Sequence, residues 1–209
     1  MPPHLVLHDF LAPDEADALL AYALDHEAQY AATGVGLAAG ERRVDPAIRQ
    51  SSSLRDLGPF RALLKERMRG IEPVLSARLG TPPLARPPVE LELVAHNDGA
   101  FYKFHKDTET GGSFQSIRVL SAVYYFHRRP QAFSGGALRL YAIGDLKFQE
   151  FIDIPPTHNS LLVFPSWAPH EVTRVSCPSQ AFADSRFAIN CWLRRLRPEG
   201  GGEAGARPA

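Results

Sequence analysis

Two histidines and one aspartate in this chain are spaced to share a metal ion. In Tyr102-Lys103-Phe104-His105-Lys106-Asp107, His105 and Asp107 stand two residues apart, and a strand turns every second side chain to the same face. His170, in Pro169-His170-Glu171-Val172, follows 65 residues after His105. That is enough chain to cross a sheet and return on a facing strand. Two neutral nitrogen donors and one anion on a single face of a metal leave its opposite positions open for a substrate, whereas a closed cysteine-rich shell would leave none. A His-x-Asp pair alone is a weak signal, and its bland reading makes Asp107 a loop acid and His170 a turn residue. The run Leu161-Leu162-Val163-Phe164-Pro165-Ser166-Trp167 strengthens it, because a histidine just past a buried strand sits at the mouth of a barrel, where ligands collect.

Such a set is the facial triad used by non-haem Fe(II) oxygenases. A second feature agrees with it. Arg186 opens Arg186-Phe187-Ala188-Ile189-Asn190-Cys191-Trp192, apolar enough for an interior strand, and an interior arginine is costly unless an anion compensates it. A guanidinium at a barrel floor suits bidentate capture of a carboxylate; the bland reading pairs it with an internal acid or points it outward. Tyr102 precedes His105 by three residues, and only one of Tyr124 and Tyr125 can face inward. Ser134-Gly135-Gly136 reads as a turn with close backbone approach and needs no function.

The elements that must position these residues begin at a short strand over 4–10. Pro13, Asp14 and Glu15 then open a helix to about His26, with Ala18, Leu19, Tyr22 and Ala23 on one stripe. Residues 31–46 read as a loop or irregular strand and 49–54 as a strand. From Pro59 a second helix carries Phe60, Leu63, Leu64, Met68, Ile71 and Val74 near helical spacing and ends at Gly80-Thr81-Pro82-Pro83. A proline-rich linker reaches residue 88. Strand-like segments follow at 89–96, 100–106, 118–127, 136–142, 147–153, 160–164, 170–176 and 186–194, which predicts a two-sheet roll or barrel with helices on one side. The organisation expected is a single domain over 1–197, with 1–88 as helical support and 89–197 as the β core. Residues 198–209, rich in glycine, read as a disordered tail.

Composition narrows the class. The 209 residues hold 23 Lys plus Arg against 23 Asp plus Glu, so no overall charge draws the chain to nucleic acid or an anionic membrane. The run Arg194-Arg195-Leu196-Arg197 reads as a solvated boundary. Cys177 and Cys191 could pair in principle, but two cysteines make no disulfide framework. Neither a signal peptide nor an apolar run of membrane-spanning length is visible, and the cytoplasm is the default location. Oligomeric state is not written in the sequence.

Together the pieces resemble the prolyl 4-hydroxylase-like Fe(II)/2-oxoglutarate dioxygenases. In the family's order stand Tyr102 to Asp107, Val123-Tyr124-Tyr125-Phe126, Ser134 to Leu140, Leu162-Val163-Phe164, His170-Glu171-Val172 and Arg186 to Trp192. Phe10-Leu11-Ala12-Pro13-Asp14-Glu15 also looks like the family's opening. The resemblance implies a mainly β, α+β fold: a double-stranded β-helix (jelly-roll) core with the amino-terminal helices on one sheet. It implies iron held by His105, Asp107 and His170, and 2-oxoglutarate held at its distal carboxylate by Arg186 with Tyr125, while Tyr102 and Ser121 line the same pocket. The implied reaction uses O2, hydroxylates a C–H bond and releases succinate and CO2. Its prime substrate would be a prolyl residue in a protein or peptide, or a proline-like small molecule, touched by Arg139, Trp192 and Asn190 and by loops 31–46 and 108–116. Two departures stand out. Ala95-His96 stands where the family's oxygen sensors carry a tyrosine, so either His96 takes over that tyrosine's role or no residue does. The stretch 173–185 is also longer than in those sensors. A cupin-like metal or ligand-binding barrel is the alternative, and it would require Arg186 to point away from the cavity.

Overall fold

The computed structural model describes residues 1–36, 42–108, 116–144 and 150–196. Its amino-terminal third runs β1 (Leu5–His8), α1 (Pro13–Asp25), β2 (Ala31–Ala32), β3 (Val35–Gly36), β4 (Arg42–Arg43), β5 (Arg49–Gln50), β6 (Ser52–Leu54) and α2 (Phe60–Leu79). Pro13 starts α1, where its missing N–H costs nothing, and Glu15 reaches back to accept the Ala12 N–H at 2.9 Å. The buried stripe is Ala16, Leu19 and Ala23; Ala18, expected on it, is exposed, one step round the helix. Gly80 ends α2 at φ 67°, a left-handed conformation that glycine adopts without a Cβ clash. Val74, expected on the apolar stripe of α2, is 60% exposed. Buried Glu72 lies on that stripe instead, accepting the Ser76 hydroxyl at 2.6 Å and the Leu84 N–H at 2.8 Å, which fastens the proline-rich linker to the helix.

The remainder is β7 (Val89–His96), β8 (Phe101–His105), β9 (Ser116–Phe126), β10 (Ser134–Gly135), β11 (Leu138–Tyr141), β12 (Phe151–Ile154), β13 (Ser160–Pro165), β14 (His170–Val172), β15 (Val175–Ser176) and β16 (Arg186–Leu196). A large antiparallel sheet has the order β1-β13-β9-β16-β7-β6-β2, and a smaller one the order β12-β11-β14-β8-β5. The segment expected as one strand over 49–54 is interrupted at Ser51: β5 joins the small sheet and β6 the large one. The expected strand over 170–176 is likewise split, because β15 leaves to pair with β10. The expected tail 198–209 and parts of the expected segments 31–46, 108–116 and 147–153 lie outside the described residues.

Alternation along the long strands divides their side chains between two cores. From β16, Phe187, Ile189, Cys191 and Leu193 join α1 and α2 residues such as Leu19, Leu64 and Met68 on the outer side of the large sheet. Each such burial contributes about 2 kcal/mol. Ala188 instead packs with Val94, Val123, Tyr125, Leu162 and Phe164 of the large sheet and Leu138 and Leu140 of the small one, so the two sheets face each other across this cluster. The tandem tyrosines follow the same rule. Tyr124 turns to the helical side and donates to Asn159 at 2.9 Å, while Tyr125 faces inward. Cys177 and Cys191 are both buried and free, since they lie in different clusters. Arg194 is not solvated as expected: it donates to Glu90 at 2.8 Å and to Ser116 at 2.8 Å. Among the described residues, no helix is long and apolar enough to cross a membrane.

Candidate active site

His105 and His170 stand directly opposite each other on β8 and β14, neighbours in the small sheet; the facing strand expected for His170 is in fact the adjacent one. Asp107 lies just beyond the end of β8. Its N–H and that of Thr108 both donate to the Ser166 carbonyl, at 3.1 and 3.0 Å, so the turn leading to His170 also holds the aspartate. One ligating atom from each of the three residues lies within 4.8 Å of the others. Asp107 Oδ1 is 3.7 Å from His105 Nε2, and Oδ2 is 3.7 Å from His170 Nε2.

Both imidazoles are turned by the same device. Nδ1 of His105 lies 2.7 Å from the Lys103 carbonyl, and Nδ1 of His170 lies 3.0 Å from the Ala168 carbonyl. A carbonyl can only accept, so each Nδ1 carries the proton and each Nε2 presents a lone pair to the common point. Burial, then the neighbouring His170, keep the His105 pKa well below its ordinary value. Burial pushes Asp107 upward, but His170, His105, the Ser121 hydroxyl and the Trp192 indole outweigh it and hold the carboxyl ionised. A neutral imidazole beside a carboxylate is the protonation state a divalent cation requires.

A β-bulge shapes the approach to the triad. Between the pairs His105–His170 and Tyr102–Val172, β8 spends three residues where β14 spends two. The extra residue resets the alternation, so Tyr102 stacks flat on His105 with ring centroids 3.6 Å apart. The Arg49 guanidinium covers the other side of this stack, 4.9 Å from the Tyr102 ring centre. Glu92 accepts from Arg49 at 3.1 Å and from Asn190 at 3.3 Å, so Asn190, expected at the substrate, is joined to an internal ion pair.

Arg186 faces the same interior strip of β16 as Ala188, Asn190 and Trp192. It is 1% exposed. Nε donates to the Gly136 carbonyl at 2.7 Å and Nη1 to Nδ1 of His96 at 3.2 Å, and the Tyr125 ring lies 4.9 Å from the guanidinium. Gly136 therefore does more than turn the chain: a Cβ there would come within 2.6 Å of Arg186 Cδ. Nη2 of Arg186, the Tyr125 hydroxyl and Nε2 of His96 are buried without a hydrogen-bond partner. Arg186 and Tyr125 do feel each other: burial pushes the Tyr125 pKa up to about 12, and Arg186, by its charge and as a weak hydrogen-bond partner, opposes the rise, although the contact does not reach full hydrogen-bond geometry. No carboxylate among the described residues neutralises Arg186.

Several expected roles change. Ser121 does not serve the Arg186 end; its hydroxyl donates to Asp107 Oδ2 at 2.7 Å and meets the Ser166 hydroxyl at 2.9 Å. Arg139 does not face the cavity. It alternates with inward Leu138 and Leu140 and lies on the outer face, bound to Asp153 at 2.7 Å and to Glu171 at 3.5 Å. Trp192 does stand beside the triad, opposite Ser121 in the register, with the Arg118 guanidinium 3.9 Å over its ring and Glu90 holding that guanidinium at 2.6 Å. Glu90 and Glu92, not singled out in the sequence, alternate with Val89, Leu91 and Leu93 and lie on the inner face of the large sheet. Arg49, Arg118 and Ser166 carried no local signal.

The model of the 2OG-Fe(II) oxygenase superfamily matches residues 91–194, a span containing the triad and Arg186. That stretch of the chain belongs to this superfamily. An uncharacterized PKHD-type hydroxylase of Synechocystis sp. is 36% identical over 197 residues, 90% of this chain. The chain spans 62% of that relative's length. Among solved structures, a Pseudomonas putida prolyl-4-hydroxylase is similar with a TM-score of 0.65 at 22% identity, covering 94% of this chain and 95% of the other. A Trichoplax adhaerens prolyl hydroxylase, solved with a hypoxia inducible factor peptide fragment, has a TM-score of 0.68 at 19% identity, covering 92% and 84%. At these identities the likeness concerns the fold, the double-stranded β-helix. Family membership brings Fe(II), 2-oxoglutarate and O2 as cofactor and co-substrates, and the residues fit them. The triad offers two lone pairs and an anion to a cation, while the other end of the cavity offers buried donors without an acceptor.

Proposed function

We propose that this oxygenase hydroxylates a C–H bond of a prolyl residue in a peptide or protein, or of a proline-like small molecule, with release of succinate and CO2. The observation that carries the reading is the buried, uncompensated Arg186 on the inner strip of β16, whose Trp192 reaches Asp107 of the His105–Asp107–His170 triad. A buried cation costs several kcal/mol, roughly, unless an anion meets it. A co-substrate with a metal-chelating 2-oxo acid at one end and a carboxylate at the other supplies that anion while it reaches the metal.

His105, Asp107 and His170 hold the iron, and Arg186 with Tyr125 takes the distal carboxylate. Bound iron with 2-oxoglutarate and O2 supplies the oxidising power for the C–H bond. The chain's own work is positional. Backbone carbonyls fix both histidine tautomers, Ser121 orients Asp107, and the stacked Tyr102 limits movement of the His105 ring. Trp192, whose indole reaches Asp107, and Arg118, stacked on it, are assigned as substrate contacts. The cluster of Val94, Val123, Leu162 and Phe164 keeps water from the space between the two ends.

Anaerobic addition of Fe(II) and then 2-oxoglutarate to the purified protein tests this reading. A visible metal-to-ligand charge-transfer band is expected, and it should vanish in His105→Ala. Iron binding without a band on adding 2-oxoglutarate would overturn the reading in favour of a cupin-like metal or ligand binder.

A further inference from the structure

The Arg186 pocket contains one more group than a carboxylate clamp of arginine and tyrosine needs. His96 ends β7 directly opposite Arg186 in the register and is 3% exposed. Its Nδ1 lies 3.2 Å from Nη1 of Arg186. A guanidinium has donors only, so Nδ1 is the lone-pair nitrogen and the ring proton sits on Nε2. That Nε2–H is buried without a partner, as are Nη2 of Arg186 and the Tyr125 hydroxyl. Burial, and then the charges of Arg186 and Arg49, keep the imidazole neutral, so it adds a donor without adding a second positive charge. Three orphaned donors around one buried cation describe the place of an oxygen-bearing anion.

We infer that His96 is a co-substrate-binding residue that donates Nε2–H to the distal carboxylate of 2-oxoglutarate, beside Arg186 and Tyr125. The inference rests on the oxygenase reading and adds a selective element to it. Nδ1 of His96 holds Nη1 in place, and its Nε2–H rewards only a 2-oxo acid with a carboxylate at the far end. A five-carbon 2-oxo acid ending in a methyl group would leave that donor unmet.

Calorimetric titration of the Mn(II)-loaded protein under anaerobic conditions tests this without turnover. The ligands are 2-oxoglutarate and 2-oxopentanoate, which share a chain length and differ in the distal carboxylate. His96→Phe is expected to weaken 2-oxoglutarate binding about tenfold or more, the range of a hydrogen bond to a charged group, and to leave 2-oxopentanoate within about twofold. His96→Gln, which keeps an acceptor for Arg186 and a donor, should restore most of the loss. Equal weakening of both acids, or no weakening of either, overturns the assignment; His96→Leu is read the same way should the phenyl ring unseat β7. Arg186→Leu separates the two claims. If it erases the preference for 2-oxoglutarate and His96→Phe keeps it, His96 is misassigned and the oxygenase reading stands. If the wild-type protein shows no preference, the oxygenase reading itself falls and takes this inference with it.

Discussion

On one side of the interior Asp107 is an anion with its partners in place; on the other Arg186 is a cation that no carboxylate among the described residues meets. Around Asp107 stand two imidazoles, the Ser121 hydroxyl and the Trp192 indole, and the three ligating atoms converge on one point. Around Arg186 stand a backbone carbonyl and an imidazole nitrogen, and the remaining polar atoms are donors facing nothing. The difference teaches what each end is built to receive. Convergent lone pairs and a carboxylate take a cation; buried N–H and O–H groups left without an acceptor take an anion. One molecule that is both a metal chelator and a carboxylate completes the two ends together.

Breaking the cation end should have the largest effect. Asp107→Ala leaves two imidazoles without the anion that offsets the metal's charge. Iron affinity and substrate-independent succinate formation are expected to fall to background, measured by metal titration and by succinate release. Full activity in this variant would remove Asp107 from the ligand set.

At the anion end the two functions should separate. Arg186→Ala is expected to raise the KM for 2-oxoglutarate on the order of 100-fold, the scale of truncating one partner of a buried charged pair, while Fe(II) affinity changes little. Steady-state kinetics against metal titration reads the split. A joint loss would mean that the two ends are one structural unit.

The smallest effect sharpens the comparison through stability. Burial, with Arg186 and Arg49, keeps the folded pKa of His96 well below its ordinary value. Below about pH 6.5 the unfolded chain therefore binds a proton that the folded chain refuses, and stability falls as pH falls, by ~1.4 kcal/mol per pH unit for one such group. His105 adds to the same slope in metal-free protein. Urea denaturation of the metal-free protein between pH 6.5 and 5 should show His96→Gln losing stability less steeply than wild type, by about one proton's share. Equal slopes would place His96 in a wetter setting than the fold gives it.

That His105, Asp107 and His170 could come together was legible in the sequence from residue type and spacing, whereas Tyr125 as the partner of Arg186 came from the family resemblance. Arg186 in an apolar alternating segment and the choice of one inward tyrosine are consequences of a two-residue repeat, and both appear in the fold. Tyr102, expected to line the 2-oxoglutarate pocket, instead stacks on His105, because a bulge on β8 resets the repeat between the two. Arg139 was misplaced for a related reason: alternation tells which residues share a face, and Arg139 shares the outer one with Glu171 and Asp153. Glu90 and Glu92 went unnoticed through the same ambiguity, since both faces of the large sheet are covered, one by helices and one by the opposite sheet.

What the sequence by itself determined is the set of donors: two imidazoles, one carboxylate and one guanidinium on strands whose alternation could bring them inward. Those are properties of covalent structure and of short-range backbone geometry. Only the tertiary structure decided that Ser121 serves Asp107 rather than the co-substrate, that Asn190 answers to Glu92, and that His96 stands against Arg186 with its proton on the far nitrogen. Those are questions of partner and burial. They depend on strands far apart in the chain, such as β7 and β16, meeting in one register, and on how little water is left where they meet.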